Sequence, residues 1–204
     1  MTPSGNSIQR PQALPAPSRR AGQRLLRHLD ADRARAQAAL RAALASPRYA
    51  KLLARLTAAL VHPPVRTSEV CLPGIAAAEF KKLQKAVKKL PNPPSAGDLH
   101  AVRIKVKRVR YAAELVQPMI GRRAERFVDK AKKLQDILGD HQDAVVAEAY
   151  LRKVTDRTRA AHALEQLLVK QQRKRRTKAL AAFREKWPRL KRRGRKAFSK
   201  VPMP

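Results

Sequence analysis

His100, Arg103, Lys107 and Arg110 follow one another at intervals of three or four residues. Wound at about 3.6 residues per turn, they share one side of a helix with Tyr111 and Glu114. Val102, Val106, Val109, Ala113 and Val116 fall on the opposite side. A helix that buries the valine stripe must send the cation row outward or into a polar channel. In a channel, the row would receive something long and strongly anionic. Arginine offers planar two-point contacts to phosphate oxygens, and lysine offers point charges. The histidine lies near the expected helix N-terminus, where unpaired N–H groups and the helix dipole favour anions. Arg108 extends the cationic surface past half the circumference, more than solubility requires. Tyr111 and Glu114 are placed to hold the cationic groups in fixed positions.

No motif for bond-making chemistry accompanies this row. There is no His/Cys pair at metal-ligand spacing, no His-Glu-x-x-His and no Gly-x-Ser-x-Gly, and seven glycines leave no phosphate-cradling glycine loop. Asp140, His141 and Asp143 are the one group that suggests a metal, and helix capping is the simpler use of the two aspartates. His28, His62 and His162 sit among unrelated residues. The expectation is a binding protein with no catalytic residue, metal or cofactor.

The elements that must position the row are all helical. Met1 to Arg20 is rich in Pro, Ser and Gln and reads as a flexible leader. Leu25, Leu29, Leu40 and Leu44 then mark a helix that Pro47 interrupts. Tyr49, Leu52, Leu53, Leu56 and Leu60 mark a second, stopped at His62-Pro-Pro64 and followed by a loop over 65–74. A helix over 75–90 sets Phe80, Leu83, Val87 and Leu90 beside a basic strip of Lys81, Lys85 and Lys88. After Pro91-Asn-Pro-Pro94, Ser95 or Asp98 can cap the helix that carries His100. Over 122–138, Phe127, Ala131, Leu134 and Leu138 face one way, with Arg126, Lys130 and Lys133 beside them. Gly139 suits a C-cap there, and Asp140 with Asp143 suits the start of a further helix running past Leu151 toward Leu168. From Lys170 to Lys200, fifteen Lys/Arg meet one acid, Glu185, and the run 191–196 reads as solvated. Phe183 and Trp187 are its available anchors. No segment alternates as a strand does.

Charge narrows the partner. Lys and Arg number 47 against 15 Asp and Glu, a formal net charge of +32, and self-repulsion on that scale favours polyanionic partners. An aromatic content of 4% argues against a platform for stacking single-stranded bases. The single cysteine, Cys71, precludes an internal disulfide and suits a reducing compartment. No run approaches the roughly eighteen apolar residues of a membrane span, and the first twenty residues contain no signal-peptide core. The chain is therefore expected in the cytoplasm.

The pattern Leu99-His-x-x-Arg-x-x-x-Lys-Arg-x-Arg-Tyr-x-x-Glu114, followed by Lys133-Leu-Gln-Asp-x-Leu-Gly-Asp-His-Gln-Asp143, resembles the CHAD family, the conserved histidine α-helical domains. The resemblance is densest over 99–151. It implies two similar four-helix halves around a basic channel, binding of inorganic polyphosphate without known catalysis, and a location at polyphosphate deposits. It also implies that His100, Arg103, Lys107, Arg108, Arg110, Tyr111 and Lys133 belong to the channel motif. By the same resemblance, Asp136, Gly139, Asp140 and Asp143 orient and cap helices without touching the anion. Nothing here looks like the triphosphate-tunnel enzyme domain to which some members are fused. A complete domain of that family has a His-x-x-Arg motif in each half, and this sequence has one. The resemblance is thus to a second half, and an isologous homodimer would rebuild the two-fold channel.

The sequence thus predicts an all-α antiparallel helical bundle, half or part of a CHAD-type domain. Its boundaries fall at a leader over 1–20, the bundle over 21–169 and a basic helix and tail over 170–204. Polyphosphate is the expected ligand, held by the row on the His100 helix together with Lys81, Lys85, Lys88, Arg126, Lys130 and Lys133. The rival reading is a nucleic-acid-associated protein that grips the phosphate backbone without reading sequence. The absence of Asn or Gln on the His100 helix before Gln117 suits charge binding and not base recognition.

Overall fold

The structure, a computed structural model, describes residues 16–63, 71–155 and 158–199. Seven helices and no strand occur among them, in the expected all-α class. They are α1 (Ala16–Leu44), α2 (Pro47–Val61), α3 (Leu72–Lys88), α4 (Ala96–Leu115), α5 (Gln117–Ile120), α6 (Arg122–Val154) and α7 (Arg159–Phe198). The chain divides into two compact units, Met1–Ser68 with Arg152–Leu167, and Glu69–Leu151 with Leu168–Pro204.

The first unit contains the α1–α2 hairpin. Its turn is built at Ser46, whose hydroxyl donates to the Ala43 carbonyl at 2.6 Å and accepts from the Tyr49 N–H, with Pro47 opening α2 where no donor is needed. Helix α1 begins at Ala16, so residues 16–20 are helical where a leader is expected; the rest of that expected leader lies outside the described residues.

The second unit contains the core. Helix α3 begins at Leu72, so 72–74 are helical and not loop, while 64–70 lie outside the described residues. Ser95 and Asp98 form a reciprocal capping box that starts α4. The carboxylate of Asp98 accepts from the Ser95 hydroxyl and backbone N–H, and those bonds hold its pKa below the usual carboxylate value. Leu99, Val102, Val106, Val109, Ala113 and Val116 are each 1% exposed or less, packed with Phe80 and Leu83 of α3 and Phe127, Ala131, Leu134 and Leu138 of α6. Gly121, at φ 70° and ψ −147°, makes the turn from α5 into α6 in a region that side chains avoid.

Two expectations are corrected here. Helix α6 continues through Gly139 and Asp140, so neither residue caps a helix and no new helix starts there. The buried series Leu134, Leu138, His141, Ala144, Glu148 and Leu151 keeps one helical period across the glycine, and burying that stripe outweighs the roughly 1 kcal/mol that an interior glycine costs. The stretch after Lys170 is not an appended tail. Phe183, Leu190, Ala197 and Phe198 of α7 are buried in the core, and the Arg184 guanidinium donates to Asn92 at 2.7 Å. The run over 191–196 lies in this helix, with Gly194 buried in its middle.

Gly194 is needed for close approach. A Cβ there would overlap the ring of Phe80, which meets Phe127 edge-to-face and Phe198 at a tilt, each at 5.5 Å between centroids. Alanine favours the helix by about 1 kcal/mol over glycine, but three interlocked rings cannot yield the space cheaply, and overpacking costs about 1–3 kcal/mol. Gly194→Ala is expected to lower the melting temperature, while Arg192→Ala on the exposed side of the same run leaves it unchanged. Thermal denaturation followed by circular dichroism checks both; an unaltered melt for Gly194→Ala would return 191–196 to a solvated tail.

Candidate functional site

Because α4 buries its valine stripe, the opposite side carries the cations as the spacing requires. His100, Lys107 and Arg108 are exposed, while Arg103 and Arg110 are half-buried. The two arginines differ in their surroundings. Arg110 is committed: its Nε donates to Oε1 of Gln135 on α6 at 3.0 Å, and its Nη1 donates to Oε1 of Glu114 at 2.8 Å. The Tyr111 ring centroid lies 4.2 Å from its guanidinium carbon and 5.7 Å from Nζ of Lys107. Lys132 of α6 completes the cluster, with Nζ 3.7 Å from the same Glu114 oxygen. These contacts brace α4 against α6.

Arg103 is uncommitted. Its Nε is buried and has no hydrogen-bond partner, an arrangement that leaves a donor's desolvation uncompensated. Its neighbour is Gly139, where an added Cβ would lie 3.9 Å from Nε and 4.0 Å from Nη2. The glycine within α6 leaves room for no more than a methyl beside Nε and Nη2, and Nε itself is sealed from solvent, so the two terminal nitrogens form the edge that is not buried. Such an edge suits a phosphate or carboxylate.

The structure sorts the remaining expected residues by helix face. Lys132, Gln135 and Gly139 lie on the strip of α6 that meets the α4 row. Arg126, Lys130 and Lys133 share a different strip, since Lys133 is turned about 100° from Lys132. Arg126 and Lys133 are exposed and Lys130 is half-buried. Lys81, Lys85 and Lys88 are exposed along α3. Gln135 and Lys132 were missed by the sequence reading. Only their offset of 22–25 residues from Arg110 could have signalled them, and the pairing of α4 with α6 had to be known first.

Asp136, Asp140 and Asp143 are exposed along the middle of α6, and no group of three metal-ligating side chains occurs among the described residues. His141 is buried; that burial, and then the nearby Arg176 charge, lower its pKa, so the ring is neutral at neutral pH. Glu148, also buried, accepts from Arg173 at 3.3 Å and Arg176 at 3.0 Å, tying α6 to α7. None of the described helices is long and apolar enough to cross a membrane.

The chain belongs to the CHAD domain family, whose profile matches residues 6–152. The match covers α4, the whole signature on α6 and the hairpin before them. Two curated Mycobacterium tuberculosis proteins, Uncharacterized protein MT2285 of strain CDC 1551 and Uncharacterized protein Rv2226 of strain H37Rv, are each 34% identical to it over 158 residues. The similarity covers 72% of this chain and 30% of each relative, so the chain corresponds to less than a third of their length. No solved structure matches significantly.

The brace and the row make separable predictions. Arg110→Ala removes two hydrogen bonds of a mostly buried guanidinium and is expected to cost about 1–2 kcal/mol of stability. Lys107→Ala, at an exposed position, is expected to stay within about 0.5 kcal/mol of the parent. Urea unfolding of the two variants measures the difference, and equal midpoints would mean that Arg110 does not brace the helices.

Proposed function

We propose that this protein binds inorganic polyphosphate along the α4 row and has no catalytic step of its own. The observation that carries the reading is Arg103, a guanidinium with a buried, unpartnered donor beside a glycine, in line with exposed Lys107 and His100. An anionic chain supplies acceptors to the terminal nitrogens of Arg103, while Lys107 and the flanking Arg108 add charge and His100 offers a ring N–H. The arrangement has no paired carboxylates to hold a catalytic metal, which favours binding over turnover. Family membership supports the reading. Such a module would serve to target or scaffold at polyphosphate deposits in the cytoplasm. An isologous pair of chains would set two rows along one anion path, and a chain that stays monomeric with polyphosphate present overturns that part.

Non-specific binding to nucleic acid is the rival, favoured by the exposed cations of α7. Long-chain polyphosphate and duplex DNA are to be titrated side by side across a salt series. Both bind at low salt, and counterion release weakens both as salt rises. Polyphosphate binding that outlasts DNA binding is expected; parallel loss would mean diffuse charge alone. Deleting everything after Lys170 is no clean control, because it strips Phe183, Leu190 and Phe198 from the core. A charge-matched pair serves instead. Arg103→Ala with Lys107→Ala is expected to weaken polyphosphate binding about tenfold, and Lys174→Ala with Lys178→Ala less than about twofold. The reverse pattern for polyphosphate would move the site to α7.

Gly139→Ala is a sharper test. Its helical backbone accepts alanine, and the added methyl makes only ordinary contact with Arg103, so stability is expected to rise by up to about 1 kcal/mol. The same methyl fills the space beside Nε and Nη2 of Arg103 and restricts how the guanidinium can turn toward an anion, so polyphosphate affinity is expected to fall severalfold. Isothermal titration beside a thermal melt reads both, and affinity that holds or rises would take Arg103 out of the ligand contacts.

A further inference from the structure

The α4 row contains an anion of the protein's own. Arg103, Lys107, Arg110 and Glu114 stand at successive intervals of four, three and four residues, so Glu114 continues the cation row and does not lie beside it. Its carboxylate sits between Arg110 on its own helix, at 2.8 Å, and Lys132 on α6, at 3.7 Å. Its side chain is 31% exposed, so solvent and solutes reach it. A negatively charged group between two cations, open to solvent and in line with the rest of the row, is where the next phosphate of a bound chain would be expected.

We propose that Glu114 is a tethered placeholder, an internal anion that occupies the Arg110–Lys132 position and that a ligand phosphate must displace. The proposal rests on the polyphosphate reading of α4. Its physical content is competition. A tethered carboxylate meets its two cations at a high effective concentration, so dilute monovalent anions such as chloride do not replace it. A polyphosphate chain already held by Arg103 and Lys107 presents its next phosphate in the same intramolecular way and competes on equal terms. With Glu114 in place, Arg110 stays oriented through Gln135 and Tyr111 while its charge is offset, so the position is built before the ligand arrives. The device makes the row resistant to ordinary salt while leaving it responsive to a dense anionic chain.

Neutralising Glu114 tests this. Any lost carboxylate favours an anion on so basic a protein, so the generic effect is measured with Glu79→Gln, which removes the carboxylate paired with Lys82 on α3. Glu114→Gln is expected to bind long-chain polyphosphate about fivefold more tightly than the parent at low salt, beyond the change in Glu79→Gln, and with a salt slope steeper by about one contact. Lys132→Ala combined with Glu114→Gln should lose most of that gain, because one of the two freed cations is gone. Glu114→Asp, which keeps the charge but shortens its reach, should show a smaller gain in the same direction and stands in if the glutamine variant does not fold. Weaker binding by Glu114→Gln at every salt concentration would make Glu114 a positioning residue for Arg110 and overturn the placeholder. A gain no larger than that of Glu79→Gln would overturn it as well. Failure of the polyphosphate reading itself is seen separately, in the unmodified protein, as polyphosphate and DNA binding that vanish together with salt.

Discussion

Burial of one apolar stripe on α4 sets the direction of every charge on that helix. Leu99, Val102, Val106, Val109, Ala113 and Val116 occupy successive turns and leave the core no room for a cation. Placing the stripe against α3 and α6 is driven by removal of its area from water, and β-branched valines pack there with little rotamer freedom to lose. Once that face is buried, His100, Arg103, Lys107 and Arg110 have only the opposite side to occupy. The cationic row is the other half of the packing of the core.

Carboxylates are scarce in this chain, and where they sit shows what the fold must hold in place. Asp98 locks the start of α4, Glu114 joins Arg110 and Lys132 across α4 and α6, and Glu148 joins Arg173 and Arg176 across α6 and α7. Each spends its charge at a helix end or a helix–helix contact. With 47 Lys and Arg against 15 Asp and Glu, most cations must face solvent, where screening limits their mutual repulsion. Arg103 is different, because a buried guanidinium donor without an acceptor is a standing cost that a bound anion would relieve. With acids this scarce, Asp98, Glu114 and Glu148 stand where they fix a helix start or join two helices.

Much of this was legible in the residues. Stripes at intervals of three and four gave the helices, Pro47 and Pro91–Pro94 marked their breaks, and Ser95 with Asp98 announced the cap. The motif over 99–143 pointed to the family that the profile match then established. Two features were misjudged for one common reason, that local propensity was weighed without the surface to be covered. Gly139 and Asp140 favour an end and a beginning in isolation, yet the stripe from Leu134 to Leu151 keeps the helix whole. The run over 191–196 is strongly basic, yet Gly194 seats it against Phe80.

The sequence by itself determined which faces are apolar and which are cationic, because helical period alone sorts residues around an axis. It determined the sign and scale of the formal charge. Only the tertiary structure decided which cations are spent and which remain. Arg103 and Arg110 have the same chemistry and share a helix face, but Gln135, Glu114 and Tyr111 engage one, while the other lies beside Gly139 with its Nε unpartnered. That difference arises from where α6 lies across α4, a relation between residues some 25–36 positions apart that no periodicity within one helix encodes.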